Sequence, residues 1–317
     1  MKKLLVTGCA GFIGAHFVEY LLENYPQDFV VGVDCLTYAA NEKALAGLCR
    51  SARFRFYKAD ICDKKAMDEI FCGEMPDVVV NFAAESHVDR SIENADAFIR
   101  TNVVGTQVLL DASVRYGVKR FHQISTDEVY GDLPIDSDER FTESSALNPS
   151  SPYSASKAAA DLLVMSYNRT HGLKASVSRS TNNYGIYQHE EKFIPLSVKK
   201  LVRGEPIPLH GDGRIVRDWL YVVDHCSAVD LIIRAGKCEI YNISAYNPQE
   251  NIRLAELITE LSGLDGKGFE FVAMRKGQDV RYSVDCEKIR SLGWTPKADF
   301  RQALGESIKW YIINETK

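Results

Sequence analysis

The sequence predicts an α/β fold: a parallel sheet doubly wound by helices, with a smaller α/β lobe attached. Three observations predict it. Short runs rich in Val, Ile and Phe recur along the first two thirds of the chain, helical patterns separate them, and the first run ends in a glycine-rich turn that opens a helix. The runs are Leu4 to Thr7, Phe29 to Asp34, Phe54 to Lys58, Asp77 to Phe82, Arg120 to Ser125 and Ala175 to Ser180. Strands covered on both faces read as such short apolar runs. Between them, Phe12 to Asn24, Ala97 to Tyr116 and Tyr153 to His171 carry apolar residues at helical spacing. After about Asn182 the pattern loosens, with breaks at Gly204-Glu205-Pro206, Gly211-Asp212-Gly213 and Asn247-Pro248 and helices over Leu254 to Leu261 and Phe300 to Ile312. The implied division is a sheet domain over residues 1–181, returning to the sheet near residues 217–246, and a lobe built from the remainder of 182–317.

A chain of 317 residues, 45% hydrophobic, buries a sizeable core as one large or two fused domains. Its net charge of -5 gives no electrostatic case for a nucleic-acid partner. Met1-Lys2-Lys3 before Leu4-Leu5-Val6 imitates a signal-peptide start, but the run stops at Thr7-Gly8 and no long hydrophobic segment follows. No membrane partner and a cytoplasmic location are therefore expected. The eight cysteines are scattered without CxxC spacing, so they are expected as reduced thiols, and no metal is expected.

Gly8, Gly11 and Gly14, with Phe12 and Ile13 among them, lie where absent side chains let a pyrophosphate approach a helix N-terminus, the Rossmann-type arrangement. Asp34 closes the second strand 20 residues after Gly14, placed to accept hydrogen bonds from an adenosine ribose. Its neighbour is Cys35 rather than a cation, which favours NAD over NADP. Asp60-Ile61 follow the third strand, and Ala83-Ala84-Glu85-Ser86-His87 follow the fourth, so both segments flank the cofactor at the sheet's carboxyl edge. A glycine triplet alone is often only a turn, and His87 also reads as an ordinary loop histidine.

Ile124 to Tyr130, Ile-Ser-Thr-Asp-Glu-Val-Tyr, sets a hydroxyl and two adjacent carboxylates on the end of a buried strand. Tyr153 and Lys157, four apart, share a helix face, where an ammonium beside a phenol favours the phenolate. A phenolate takes the proton of a sugar hydroxyl as hydride leaves for NAD, and Thr126 supplies a hydroxyl to orient that oxygen. On their own, Tyr153 and Lys157 fit any amphipathic helix and Asp127-Glu128 any solvated turn. The preceding strand and the glycine turn reverse that ranking.

These three motifs in order resemble the extended short-chain dehydrogenase/reductase superfamily over nearly the whole chain, and within it the nucleotide-sugar 4,6-dehydratases. The matching segments are Asp34 to Ala39, Ala83 to Ile92 (AAESHVDRSI), Ser125 to Gly131 (STDEVYG), Arg179 to Gln188 and Arg217 to Tyr221 (RDWLY). The resemblance implies dehydration of dTDP-glucose. Tyr153 and NAD oxidise C4, Glu128 removes the C5 proton, Asp127 protonates the departing C6 hydroxyl, and hydride returns to C6. Asp127 then needs a raised pKa, which burial and the adjacent carboxylate would give, and NAD, regenerated each cycle, is expected to stay tightly bound. The resemblance further implies that Leu36, Thr37, Thr101 and Asn183 touch the cofactor. His87, Asn182, Lys192, Phe193, Pro208, His210, Arg217, Asn251 and Arg281 are the implied contacts to a nucleotide-diphosphate hexose. It also implies a homodimer through Ala97 to Tyr116 and Tyr153 to His171. Sugar 4-epimerases usually carry small or hydroxyl residues where Asp127 and Glu128 stand. Gln278, His210 and Ile186 replace the usual His, Tyr and Pro, so a UDP-linked hexose is open as substrate, and 4-epimerisation and a non-catalytic NAD-binding scaffold are the competing functions.

Overall fold

The computed structural model of the chain describes residues 2–274 and 276–315. Its first half alternates strand and helix: β1 (Lys3–Thr7), α1 (Phe12–Asn24), β2 (Phe29–Asp34), α2 (Glu42–Leu48), β3 (Phe54–Lys58), α3 (Lys64–Glu74) and β4 (Val78–Asn81). There follow α4 (Val88–Glu93), α5 (Asp96–Phe98), a π-helical stretch Ile99–Gly105, α6 (Thr106–Arg115), β5 (Arg120–Thr126), a 3₁₀ turn Asp127–Tyr130, α7 (Pro152–His171) and β6 (Ala175–Ser180). The remainder comprises β7 (Asn182–Tyr184), α8 (Phe193–Val202), β8 (Ile207–His210), β9 (Val216–Tyr221), α9 (Val222–Ala235) and β10 (Ile240–Ile243). It closes with β11 (Pro248–Glu250), α10 (Asn251–Ser262), β12 (Phe269–Val272), α11 (Glu287–Arg290) and α12 (Phe300–Glu315).

Seven strands form one sheet in the order β10-β6-β5-β4-β1-β2-β3, with every pairing parallel. The order reverses between β1 and β4, leaving a crevice at their carboxyl ends, where doubly wound sheets bind ligands. Successive residues of a strand point to opposite faces. Leu4 and Val6 therefore join a core with Phe17, Val18 and Leu21 of α1 and Val229 and Ile232 of α9. Leu5 joins another core with Phe71 of α3, Leu109 of α6 and Val164 of α7. A third core, around Val198, Leu209, Trp219, Leu254 and Leu304, holds the smaller lobe. Its pairings are short: β9 lies between β11 and β7, and β12 pairs with β8.

The helix expected over Ala97 to Tyr116 is interrupted by the π-helical stretch. Asn102 there donates to the Glu85 carbonyl (3.0 Å) and to Ser156 Oγ of α7 (2.8 Å), while its own carbonyl accepts from Thr106 Oγ1 (2.7 Å). A Cβ on Gly105 would come within 2.5 Å of the Ile61 side chain, which would have to shift to admit it. Among the described residues, no helix is long and apolar enough to cross a membrane, and no group of His, Cys, Asp and Glu could hold a metal ion. All eight cysteines are free thiols.

Two histidines are fully buried. His122 of β5 lies between Ser176 Oγ (2.9 Å) and Ser178 Oγ (3.0 Å) of β6, and His225 of α9 meets Asn183 Oδ1 (2.8 Å). Burial pushes both down to about 3 from an ordinary 6.5, so the native state keeps them neutral while the unfolded chain protonates them. Their contribution is whole above pH 6.5 and is lost as pH falls towards 3, by roughly 1 kcal/mol per pH unit for each ring. A urea-unfolding midpoint lower at about pH 5 than at about pH 7.5 is expected, and His122→Gln should flatten that dependence.

Candidate active site

A cleft of about 440 Å³ opens at the carboxyl edge of the sheet, between it and the smaller lobe. The β1–α1 turn forms its floor, with Gly8, Gly11, Phe12, Ile13 and Gly14 on the wall. Gly8 has φ +64°, and a Cβ there would lie 2.7 Å from Ala83 N across the crevice. One on Gly14 would lie 2.1 Å from Gly8 O. At Gly11 an added Cβ meets only Gly8 O, at 3.3 Å. Gly11 also N-caps α1 without a side-chain hydrogen bond, so the first-turn N–H groups are left to an anionic ligand.

Strand β5 delivers the reactive side chains. It stops at Thr126, whose Oγ1 accepts the Glu128 N–H (3.2 Å), and this capped 3₁₀ turn puts Asp127 and Glu128 side by side on the wall. Asp127 is 2% exposed. One carboxyl oxygen is contacted by Thr126 Oγ1 (3.3 Å), and the other, Oδ2, is buried without a hydrogen bond. Burial first and Glu128 second push its pKa well above the ordinary value, outweighing the opposing charge of Arg217. Asp127 therefore holds a proton where a free aspartate would not.

Helix α7 starts on a Ser151–Ser154 capping box with Pro152 in its first turn, and brings Tyr153 and Lys157 to the same wall. Lys157 Nζ donates to the Ile124 carbonyl at 2.6 Å. Burial pulls its pKa down to about 8, against the pull of Asp161. Burial, followed by the charge of Glu128, pushes the Tyr153 phenol upward, and the hydrogen bond from Thr126 only partly opposes this. Further positive charge beside the ring is needed to ionise it.

The facing wall carries Arg217, whose guanidinium donates to the Val216 and Asp279 carbonyls (both 2.8 Å) and lies 4.2 Å from the Tyr282 ring centre. Asp279 is gripped by Ser150 Oγ (2.5 Å) and Tyr282 OH (2.6 Å), which ties this wall to the segment preceding α7. At the mouth, Lys192 Nζ reaches the Ser86 carbonyl (3.0 Å), and His87 Nε2 lies 3.3 Å from Glu191. His87 also caps α4 by accepting the Arg90 N–H, so it serves structure as well as lining the cleft. His210 Nδ1 is held by the Ala273 carbonyl at 2.8 Å. Among the described residues, unpartnered buried polar atoms gather on this cleft: Ser125 Oγ, Asp127 Oδ2, Thr181 Oγ1, Gln188 Oε1, Trp219 Nε1 and Asn251 Oδ1. Such atoms fit a ligand dense in hydroxyl and phosphate oxygens.

Of the residues singled out from sequence, the structure gathers Ala84, Ser86, His87, Asn182, Asn183, Lys192, Phe193, Pro208, His210, Arg217 and Asn251 on this cleft, together with the glycine turn, Thr126, Asp127, Glu128, Tyr153 and Lys157. Asp34, Leu36, Thr37, Asp60, Ile61, Ala83 and Thr101 are not on its wall. Asp34 accepts the backbone N–H groups of Ala10 (2.9 Å) and Leu36 (2.8 Å), bracing the glycine turn. Ile61 is packed against Gly105. Arg281 turns away and donates to the Glu139 carbonyl (3.2 Å), because its strand-like segment faces the loop after β5. Sequence reasoning passed over Gln188, Glu191, Trp219, Asp279 and Tyr282, all on the wall. Gln188 and Trp219 stood within matched segments, whereas Glu191, Asp279 and Tyr282 carried no local signal.

A family model described as GDP-mannose 4,6 dehydratase matches residues 5–307. A curated dTDP-glucose 4,6-dehydratase of Haemophilus influenzae is 46% identical, covering 100% of this chain and 99% of its own. The low-salt glycan biosynthesis protein Agl12 of Haloferax volcanii is 47% identical, covering 98% of each. The crystal structure of DesIV, a dTDP-glucose 4,6-dehydratase from Streptomyces venezuelae with NAD and TYD bound, superposes with a TM-score of 0.94 at 45% identity, covering 99% of this chain and 98% of that one.

The glycine turn tolerates no added methyl at its third glycine. Gly14→Ala should force the turn apart and lower unfolding stability by about 1–3 kcal/mol, read by urea denaturation.

Proposed function

The chain belongs to the GDP-mannose 4,6 dehydratase family of nucleotide-sugar dehydratases. On that premise we propose that it converts dTDP-glucose to dTDP-4-keto-6-deoxyglucose and water, with NAD retained and regenerated. The observation that carries this reading is the carboxyl pair ending β5: Asp127, buried with Oδ2 unpartnered and its pKa pushed up by burial, beside Glu128 at the cleft. Elimination of water needs an acid and a base beyond the phenol that serves hydride transfer, and moving a hydride alone needs neither carboxyl.

Gly8, Gly11 and the first turn of α1 would hold the cofactor pyrophosphate, with Asp34 beyond them at the end of β2 for the adenosine ribose. When bound there, NAD would supply the hydride acceptor and, in its oxidised form, positive charge beside the Tyr153 phenol. Tyr153 Oη accepts the proton of the sugar's 4-hydroxyl, oriented by Thr126 Oγ1. The 4-ketone acidifies C5–H, and the Glu128 carboxylate removes that proton. Asp127 gives its proton to the C6 oxygen, which leaves as water, and as hydride comes back to C6 the proton held by Glu128 returns to C5. Arg217 and Lys192 bring positive charge to the cleft for the diphosphate.

The eight free thiols fit a reducing, cytoplasmic compartment. Ile99 and Val104 on the π-helical stretch and Leu162 on α7 are exposed although large and apolar. We assign that surface to a homodimer contact, because these two elements already pack on one another.

Incubation of the purified protein, without added NAD, with dTDP-glucose should give a product lighter by one water. Reaction of UDP-glucose alone would instead identify the UDP sugar as substrate, and no reaction of either with NAD supplied would overturn the reading. Asp127→Asn and Glu128→Gln should each lower kcat by about a hundredfold or more. Light scattering should show a dimer, converted to monomer by Leu162→Asp.

A further inference from the structure

Three residues, Tyr153, Lys157 and Asp161, follow one another at intervals of four along α7 and so share the face turned to β5 and β6. The first two line the cleft, and Asp161 lies one turn deeper, 1% exposed. Its Oδ2 accepts from Arg179 Nε at 2.9 Å; burial pushes its pKa upward, and Arg179, Ser125 and the Lys157 charge favour its ionised form against that burial. Arg179 of β6 is itself fixed, 2% exposed, with its guanidinium 4.8 Å from the ring centre of Tyr130. Lys157 is 4% exposed, and its hydrogen-bond partner, the Ile124 carbonyl, is neutral. An ammonium so far from water requires an anion to remain charged.

We infer that Asp161, anchored by Arg179, is the positioning residue that keeps the Lys157 ammonium protonated in the working enzyme. Around Lys157 stand Tyr153 and Asp161 on its own helix, Asp127 and Glu128 on the turn after β5, and Arg179 on β6. Burial lowers the Lys157 pKa, and Asp161 is the group that opposes it. Asp161 bears on Tyr153 in the unfavourable sense, but less than Glu128 does. Its principal effect is therefore on the lysine.

The inference rests on the proposed dehydratase reading for the use of that charge, not for its existence. The test has two readouts on the holoenzyme: the pH midpoint of Lys157 acylation by acetic anhydride, followed by peptide mass, and the pH profile of kcat with dTDP-glucose. Asp161→Asn should lower the labelling midpoint and the alkaline limb of kcat together, by about one pH unit, and Asp161→Glu should restore both. Asp161→Asn alone strands the Arg179 charge and endangers folding. The double variant Asp161→Asn with Arg179→Gln removes both charges and should shift the midpoint in the same direction. A labelling midpoint equal to wild type in the folded variants overturns the inference, as does a midpoint that moves without the kcat limb. Wild-type protein that releases no water overturns the dehydratase reading instead, and the labelling result still judges Asp161.

Discussion

A buried amide sits where the strand order reverses, and the geometry of the cleft follows from its bonds. Asn81, at the end of β4 and 0% exposed, accepts from Thr7 Oγ1 of β1 (2.6 Å) and donates to Gln123 Oε1 of β5 (2.9 Å) and Thr106 Oγ1 of α6 (3.2 Å). Thr106 holds the Asn102 carbonyl, and Asn102 holds Ser156 of α7. One connected set of hydrogen bonds thus spaces the glycine turn after β1, the carboxyl pair after β5 and the helix carrying Tyr153 and Lys157. Buried networks of this kind favour a single arrangement because any slipped register strands several polar atoms.

Placed on that frame, adjacent residues acquire opposite chemistry. Asp127 turns into protein and loses the solvation that would let it ionise, whereas Glu128 is half-exposed at the cleft. Burial first, and the Glu128 charge second, raise the cost of ionising Asp127. The same desolvation pulls Lys157 down and pushes Tyr153 up, so both drift towards neutrality. Charge at this site is therefore set from beneath, by Asp161 and Arg179, and from above, by the ligand.

The sheet was legible because most of its strands are buried on both faces and read as short apolar runs, and the edge strand β3 still alternates around Phe54 and Phe56. Phe29 to Asp34, Phe54 to Lys58 and Ala175 to Ser180 coincide with β2, β3 and β6, and Phe12 to Asn24 with α1. The π-helical stretch was not legible, since Asn102 and Gly105 answer to Glu85, Ser156 and Ile61, which are distant in sequence. Nor were β7, β8, β11 and β12, each three or four residues long and defined by partners elsewhere in the chain. The cleft divides the same way. The glycine turn, the carboxyl pair and the Tyr–Lys spacing are local patterns, whereas Asp279 and Tyr282 reach the wall through Ser150 and Arg217. Arg281, three residues from the cleft-lining Gln278, shows the limit of position matching: the side chain follows the loop it packs on, which its local sequence does not reveal.

The two walls also explain why this architecture suits a reaction in which hydride leaves and returns. On the proposed reading the sheet side carries the groups that move protons, and the lobe side carries Arg217 and Asp279, each held in place by internal hydrogen bonds. A sugar held from the lobe side can present C4, C5 and C6 in turn to Tyr153, Glu128 and Asp127 with little movement of the chain. Glu128 and Asp127 leave β5 on one short turn, and Tyr153 is pinned to the same strand through Lys157 and the Ile124 carbonyl. Relative placement of acid, base and phenol is thus a property of one strand end, and the lobe has only to deliver the sugar to it.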